Sequence, residues 1–354
     1  PKYFITARPT PDGYFGTERL FGRPPADADA PLPEEEGLDM IRDIAEDDTA
    51  LLQPPSRAEK DAFQPRMPSS LEDAVLYFLA SCAARRFRGQ ADSHMSMLIH
   101  TSAYVIMHDR LATLVKAWLE VIGDQLTDSS SALCQRMLAF WDAEQLRIPA
   151  GVCRHPHVTS EQLLPFVPAV LEALEVPVEN GVSEDRIDYD GAPKTYIVVG
   201  GSILARGLTI EGLCVSYFLR TSSQYDTLLQ MGRWFGYRPD YEDMPRIWMT
   251  EALSTAFRSL ALIEAEIRDD VAEYAIRHNT PMEFAVRVRS IPGMAITAAS
   301  KMRAAVLTDV SYAGKHVQTI RFDHHDRRIV QTNWTAAAHL MTQAIDLGLR
   351  AVDP

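Results

Sequence analysis

Residues 200–238 read GGSILARGLTIEGLCVSYFLRTSSQYDTLLQMGRWFGYR, and this stretch sets two arginine-bearing loops on either side of one apolar run, LCVSYFLR at 213–220. A second β-rich run, KTYIVVGG at 194–201, precedes it, and a third, MPRIWMT at 244–250, follows. Short apolar runs bounded by glycine and separated by helical patterns predict buried strands of a mostly parallel sheet. In an open sheet of this kind the loops leaving the carboxyl ends of the strands form the ligand crevice. Residues 200–209 and 222–238 are therefore expected to face one ligand. Arg206, Arg233 and Arg238 are planar fork donors suited to phosphate oxygens, and Gly200, Gly201, Gly207, Gly232 and Gly236 allow close backbone approach.

Working outward, MSMLIHTS at 95–102 is a further short apolar run. The segment from Ser69 to Gly89 has a helix start followed by apolar residues at helical spacing, and RLATLVKAWLEVIGDQL continues as a helix from about Arg110. The expected fold is α/β, a mostly parallel sheet with helices on both faces and a small C-terminal α+β appendage. Residues 69–255 form the lobe, with a helical insertion near 125–190, and residues 256–354 form an accessory region that begins within a helix at 251–277. Residues 1–68 are rich in Pro, Gly and acid, and are expected to be an extended connector lying over a neighbour.

The composition is that of a folded globular chain, with 46% hydrophobic and 23% charged residues. A net charge of −13, from 48 acidic and 35 basic residues, argues against a broad polyanion-binding surface. Any nucleic-acid contact must then be local, and the cluster Arg277, Arg287, Arg289, Lys301 and Arg303 is the candidate strip, against the plain alternative of a solvated face. Four scattered cysteines without a CxxC pair suit reduced thiols and a cytoplasmic location. No apolar run approaches the ~18 residues of a membrane span. The opening PKYFITARP reads as part of a longer chain.

The residues quoted carry a family resemblance. ARGLTI resembles motif V of superfamily-two helicases, QMGRWFGYR resembles their motif VI, and MLIHTS resembles the motif IV strand in the expected order. More narrowly, GGxxLxRGLTxEGLxVSYFLRTSxxYDTLLQMGRWFGYR, with FGR at 21–23, is similar to the bacterial Z1 domain, which is attached to helicase-like ATPases and often labelled an endonuclease. The resemblance implies the C-terminal motor lobe of an ATP-dependent DNA-processing protein of the restriction or defence type. The fold it implies is RecA-like (P-loop NTPase-type), in which Arg233 would be the arginine finger and Arg238 its support, Arg206 and Thr209 would sense nucleotide and couple it to the strand, and Gly200, Gly201, Gly207, Thr209, Gln230 and Gly232 would be nucleotide contacts. Thr209 stands where many helicases have Asp, and Gln230 and Arg238 sit off the usual spacing. The implied cofactors are ATP and Mg²⁺, held only in the full-length protein, because the chain has neither a GxxxxGK[ST] loop nor a DExx box; AGKH at 313–316 lacks the upstream Gly and the hydroxyl. The implied partners are an N-terminal RecA-like lobe and DNA.

Other features read more plainly. Trp234, Phe235 and Tyr237 are expected to serve packing rather than base stacking. CRHPH at 153–157 and FDHHD at 322–326 lack the paired spacing of metal sites, and no strand-borne carboxylate and lysine pattern of a nuclease occurs. A non-catalytic binding module with RecA-like shape and an endonuclease component are the alternative classes.

Overall fold

The computed structural model describes residues 13–22, 37–180, 187–201, 209–277, 288, 294–297, 300, 302 and 327–346. In chain order the elements are β1 (Tyr14–Phe15), α1 (Thr17–Phe21), β2 (Ile41–Asp43), α2 (Glu46–Leu52), α3 (Ser69–Phe87), β3 (Met95–His100), α4 (Val105–Thr127) and α5 (Ala132–Arg147). There follow α6 (Ser160–Leu163), α7 (Val167–Glu172), β4 (Leu174–Glu175), β5 (Val178–Glu179), β6 (Thr195–Gly200), β7 (Leu213–Phe218), α8 (Tyr225–Met231), β8 (Gly236–Tyr237), β9 (Arg246–Met249), α9 (Glu251–Arg277) and α10 (Arg327–Asp346).

Seven strands form one sheet in the order β2-β9-β7-β3-β6-β4, with β5 also on β6, and every described pairing is parallel. The inner strands β3, β6, β7 and β9 are buried at every residue, so they read as continuous apolar runs rather than alternating ones. With helices on both faces, this is the architecture expected of a RecA-like α/β fold.

One face of the sheet presents Met97, Ile99, Ile197, Val199, Val215 and Tyr217 to α3, α4 and α5. Helix α3 is buried along nearly its whole length and shows little amphipathic bias. The reason is that it lies between the sheet and the helices of the insertion, α5 to α7, so only its two ends meet water. The insertion is thus a third layer that completes the core. The opposite face carries a cluster of Phe218, Ile247 and Met249 covered by Tyr225, Leu228, Trp234, Leu253, Phe257 and Leu260 from α8, the loop after it and α9.

Two boundaries differ from the sequence expectation. The segment 1–68 supplies β2, whose Ile41, Arg42 and Asp43 pair with Ile247, Trp248 and Met249, so this stretch extends the sheet instead of only lying over it. Helix α9 packs Phe257, Leu260 and Ile263 into the lobe, so position 256 divides an element of the main core. The chain separates into two compact units, residues 1–23 with 34–305, and residues 24–33 with 306–354. In the second unit the described element is α10, whose Trp334, Leu340 and Met341 are exposed.

A buried ionic cluster ties the sheet edge to the insertion. Glu144 of α5 accepts from Arg42 Nε at 2.6 Å, from Arg42 Nη2, and from Arg246 Nε at 2.6 Å, while Arg246 Nη2 donates to the Glu144 carbonyl at 3.1 Å. Arg246 also lies 5.1 Å from the Tyr77 ring centroid and satisfies the carbonyls of Asp243 and Pro245. Burial pushes the Glu144 carboxyl up, but the two guanidiniums outweigh it and hold the group below its ordinary value. A second buried pair, Arg88 with Asp243 at 2.8 Å, anchors the end of α3 to the turn before β9.

Candidate functional site

The motif VI-like loop is built on α8 and the residues after it. The seven-residue helix runs from Tyr225 to Met231 and ends at Gly232, where a Cβ would meet the Phe235 ring at 2.8 Å and the Leu229 carbonyl at 3.3 Å. Any larger residue there would push the loop off the helix end. Trp234 then turns inward and packs edge-on against Phe218 at 5.2 Å and Phe257 at 5.0 Å. Gly236 adopts φ +133°, a region that disfavours side chains, and pairs with Phe15 of β1 across a short antiparallel ladder. Tyr14 meets Tyr237 edge-on at 6.0 Å.

This packing separates the two arginines of the loop. Arg238 is buried, and its Nη1 donates to the Tyr237 carbonyl at 2.7 Å and its Nη2 to the Arg233 carbonyl at 3.2 Å. Its guanidinium is committed to backbone, which corrects the expectation that it supports a phosphate directly: it braces the peptide that carries Arg233. Arg233 itself is half-buried, and its N–H donates to the Met231 carbonyl at 2.9 Å. Burial lowers the pKa of both guanidiniums from the usual arginine value, as expected of a cation drawn partly out of water.

The start of α8 is clamped by a segment that sequence reasoning missed. The Tyr225 N–H donates to the Ala295 carbonyl at 2.9 Å, the Ala295 N–H to the Ser223 carbonyl at 2.8 Å, and Thr297 Oγ1 to Asp226 Oδ2 at 2.7 Å. These three contacts join residues 295–297 to the helix that leads into Arg233. No periodic pattern at 294–297 announces them, so only the tertiary structure reveals the clamp.

The other expected nucleotide contacts are spread over the end of β6, the residues before β7, and α8. Gly200 closes β6 and Gly201 follows it, positioned so that a Cβ on Gly201 would run into the His108 imidazole. Thr209 is exposed just before Ile210, which is buried, and Gln230 is exposed on α8. Arg206 and Gly207 lie outside the described residues, as do Arg287, Arg289, Lys301 and Arg303 of the expected basic strip, whereas Arg277 is the last residue of α9. Of the packing expectations, Trp234 is fully enclosed and Phe235 packs on it at 5.8 Å, while Tyr237 is 54% exposed and is held only by Tyr14. In CRHPH, Cys153 accepts from Arg19 at 3.3 Å and His155 pairs with Glu242, and FDHHD is outside the described residues. Among the described residues no helix is long and apolar enough to cross a membrane.

A parallel sheet with helices on both faces, its loops carrying glycines and a braced arginine, defines an α/β protein consistent with the RecA-like class. The family model of the Z1 domain matches residues 70–296, well over half of the chain. The chain belongs to the Z1 domain family. No curated protein and no solved structure is similar enough to this chain to count as a match.

Proposed function

We propose that this chain is the C-terminal motor lobe of an ATP-dependent, helicase-like DNA-processing protein, and that Arg233 is its arginine finger. The observation that supports this reading most is the construction of the 231–238 loop, in which Trp234, Arg238, β1 and residues 295–297 all fix the peptide around a single half-buried arginine. A cation that must meet developing charge is effective when it is held in place before the reaction, because no reorganisation is then needed at the transition state. A nucleotide with Mg²⁺, gripped by a second lobe, supplies the phosphoryl group that is transferred to water. Arg233 orients and neutralises that group from this lobe, Arg238 keeps Arg233 in register as a positioning residue, and Gly200 and Gly201 let the backbone approach. Following the family resemblance, Arg206 and Thr209 couple the nucleotide to DNA.

The test is made in the full-length protein. Arg233→Ala removes about 10³-fold or more of the ATP turnover, by the general record of arginine fingers, while nucleotide affinity falls far less. Arg233→Lys rescues poorly, since a point charge lacks the planar two-pronged contact. Turnover and melting temperature are measured on one preparation. Near-normal turnover in Arg233→Ala, or a loss of melting temperature in step with activity, sinks the reading.

A further inference from the structure

His100, the last residue of β3, has no exposed surface, and neither of its ring nitrogens has a hydrogen-bond partner. A neutral imidazole carries one N–H and one bare nitrogen, so both a donor and an acceptor are left unmet in the interior. Buried polar groups are almost always satisfied, and an orphan of this kind calls for a partner outside the chain. The ring meets Phe218 edge-on at 5.4 Å, which fixes its plane.

The surroundings of His100 have one sign of charge. Its carbonyl accepts the N–H groups of Leu219 and Arg220 at 3.0 and 3.2 Å, so the loop leaving β7 folds back over the end of β3 and brings Arg220 alongside. Arg220 is half-buried, forms no ion pair among the described residues, and keeps its Nε buried without an acceptor. His108, one turn into α4, donates from Nε2 to the Ser102 carbonyl at 3.0 Å and leaves Nδ1 buried and unpartnered. Helix α4 is 23 residues long and begins here with no side chain capping its first amides, so the positive end of its dipole adds to the same place. The groups that act against this positive potential are Asp109, which faces His108, and Tyr104, which faces Arg220.

We infer that the carboxyl ends of β3 and β7, with Arg220, His100, His108 and the start of α4, form a binding subsite for a phosphate group. A tetrahedral oxyanion presents several acceptor oxygens, and a guanidinium fork, imidazole rings and a helix start lie together here, the groups that such an anion pairs with. Gly201 belongs to the same arrangement, because its missing side chain is what lets the His108 ring lie against β6. Burial, with Arg220 and His108 adding to it, pushes His100 down to about 3, and burial likewise lowers His108. A bound anion favours the protonated form of both rings over the neutral form that burial imposes on the empty site.

The test uses the purified chain, titrated calorimetrically with sodium phosphate and with a short oligothymidylate, against sodium chloride at matched ionic strength. Wild type gives a saturable response to phosphate and none to chloride. Arg220→Gln weakens this roughly 10-fold to 100-fold, the effect of removing a charged hydrogen-bond donor. If the oligonucleotide displaces phosphate, the natural ligand is a phosphodiester backbone; if it does not, the ligand is a small molecule with a terminal phosphate. A response to phosphate no greater than to chloride overturns the proposal whatever the variant does, and so does unchanged affinity in a folded Arg220→Gln protein. No turnover enters the readout, so the result stands apart from the role of Arg233.

Discussion

Removing the Arg238 side chain deletes two hydrogen bonds to backbone carbonyls in a site closed to water. Arg238→Ala should therefore cost about 1–3 kcal/mol of stability, the usual loss when buried polar groups are left unpaired, and a denaturant titration reads it directly. Gly201→Ala puts a methyl group into the His108 ring and should cost about 1–3 kcal/mol through overpacking. His108→Ala in the same chain should return most of that loss, and a double-mutant cycle without coupling between the two would refute the contact. Residue roles were legible in the sequence only as chemistry. GRWFGYR spells two fork donors, but which one faces outward depends on Trp234 entering the core and turning the backbone, and burial of that kind is not written in a seven-residue motif.

Helix α9 shows what can be read at the scale of an element. Its limits, 251–277, agree with the sequence expectation because a long amphipathic pattern repeats many times over such a length. The inner strands were legible for a similar reason, since each is a short, mostly apolar and β-rich run, with buried polar exceptions such as Ser96 and His100 in β3, Ser216 in β7 and Arg246 in β9. Strand β2 was not, because three residues, IRD, carry no period and lie in a Pro-rich, acidic stretch. The insertion announced its helices but not its purpose of covering α3. Because α9 closes the second face of the sheet through Phe257, which stacks on Phe21 at 6.1 Å and meets both Trp234 and Phe218, Phe257→Ala should destabilise the lobe by about 3–5 kcal/mol. A loss below about 1 kcal/mol in urea unfolding would mean that α9 is an appendage after all.

For the molecule as a whole, the Arg42, Glu144 and Arg246 cluster couples the sheet edge to the helical layer, so its charge state sets stability against acid. The folded Glu144 carboxyl lies below its unfolded value of 4.5, so its contribution is present above that pH and is lost as pH falls through the folded value. His100 acts in the same direction over a higher range. Its folded value of about 3 lies below the unfolded 6.5, so the unfolded chain binds the extra proton between these limits and stability declines as pH falls from 6.5. Urea midpoints should therefore drop from pH 7 to pH 5 in wild type, and less steeply in His100→Phe; an identical slope in the two proteins would contradict this assignment. Glu144→Gln leaves two buried guanidiniums short of their counter-charge and should cost about 3–5 kcal/mol at neutral pH. The pairing of β2 with β9 has a further consequence for how such a chain is made. Ile41–Asp43 leaves the ribosome long before Arg246–Met249, and a parallel edge strand has no local partner to dock on. Contacts so distant in sequence form slowly, and until they form both strand edges remain open to pairing with other chains. The side of the sheet synthesised first is thus completed last.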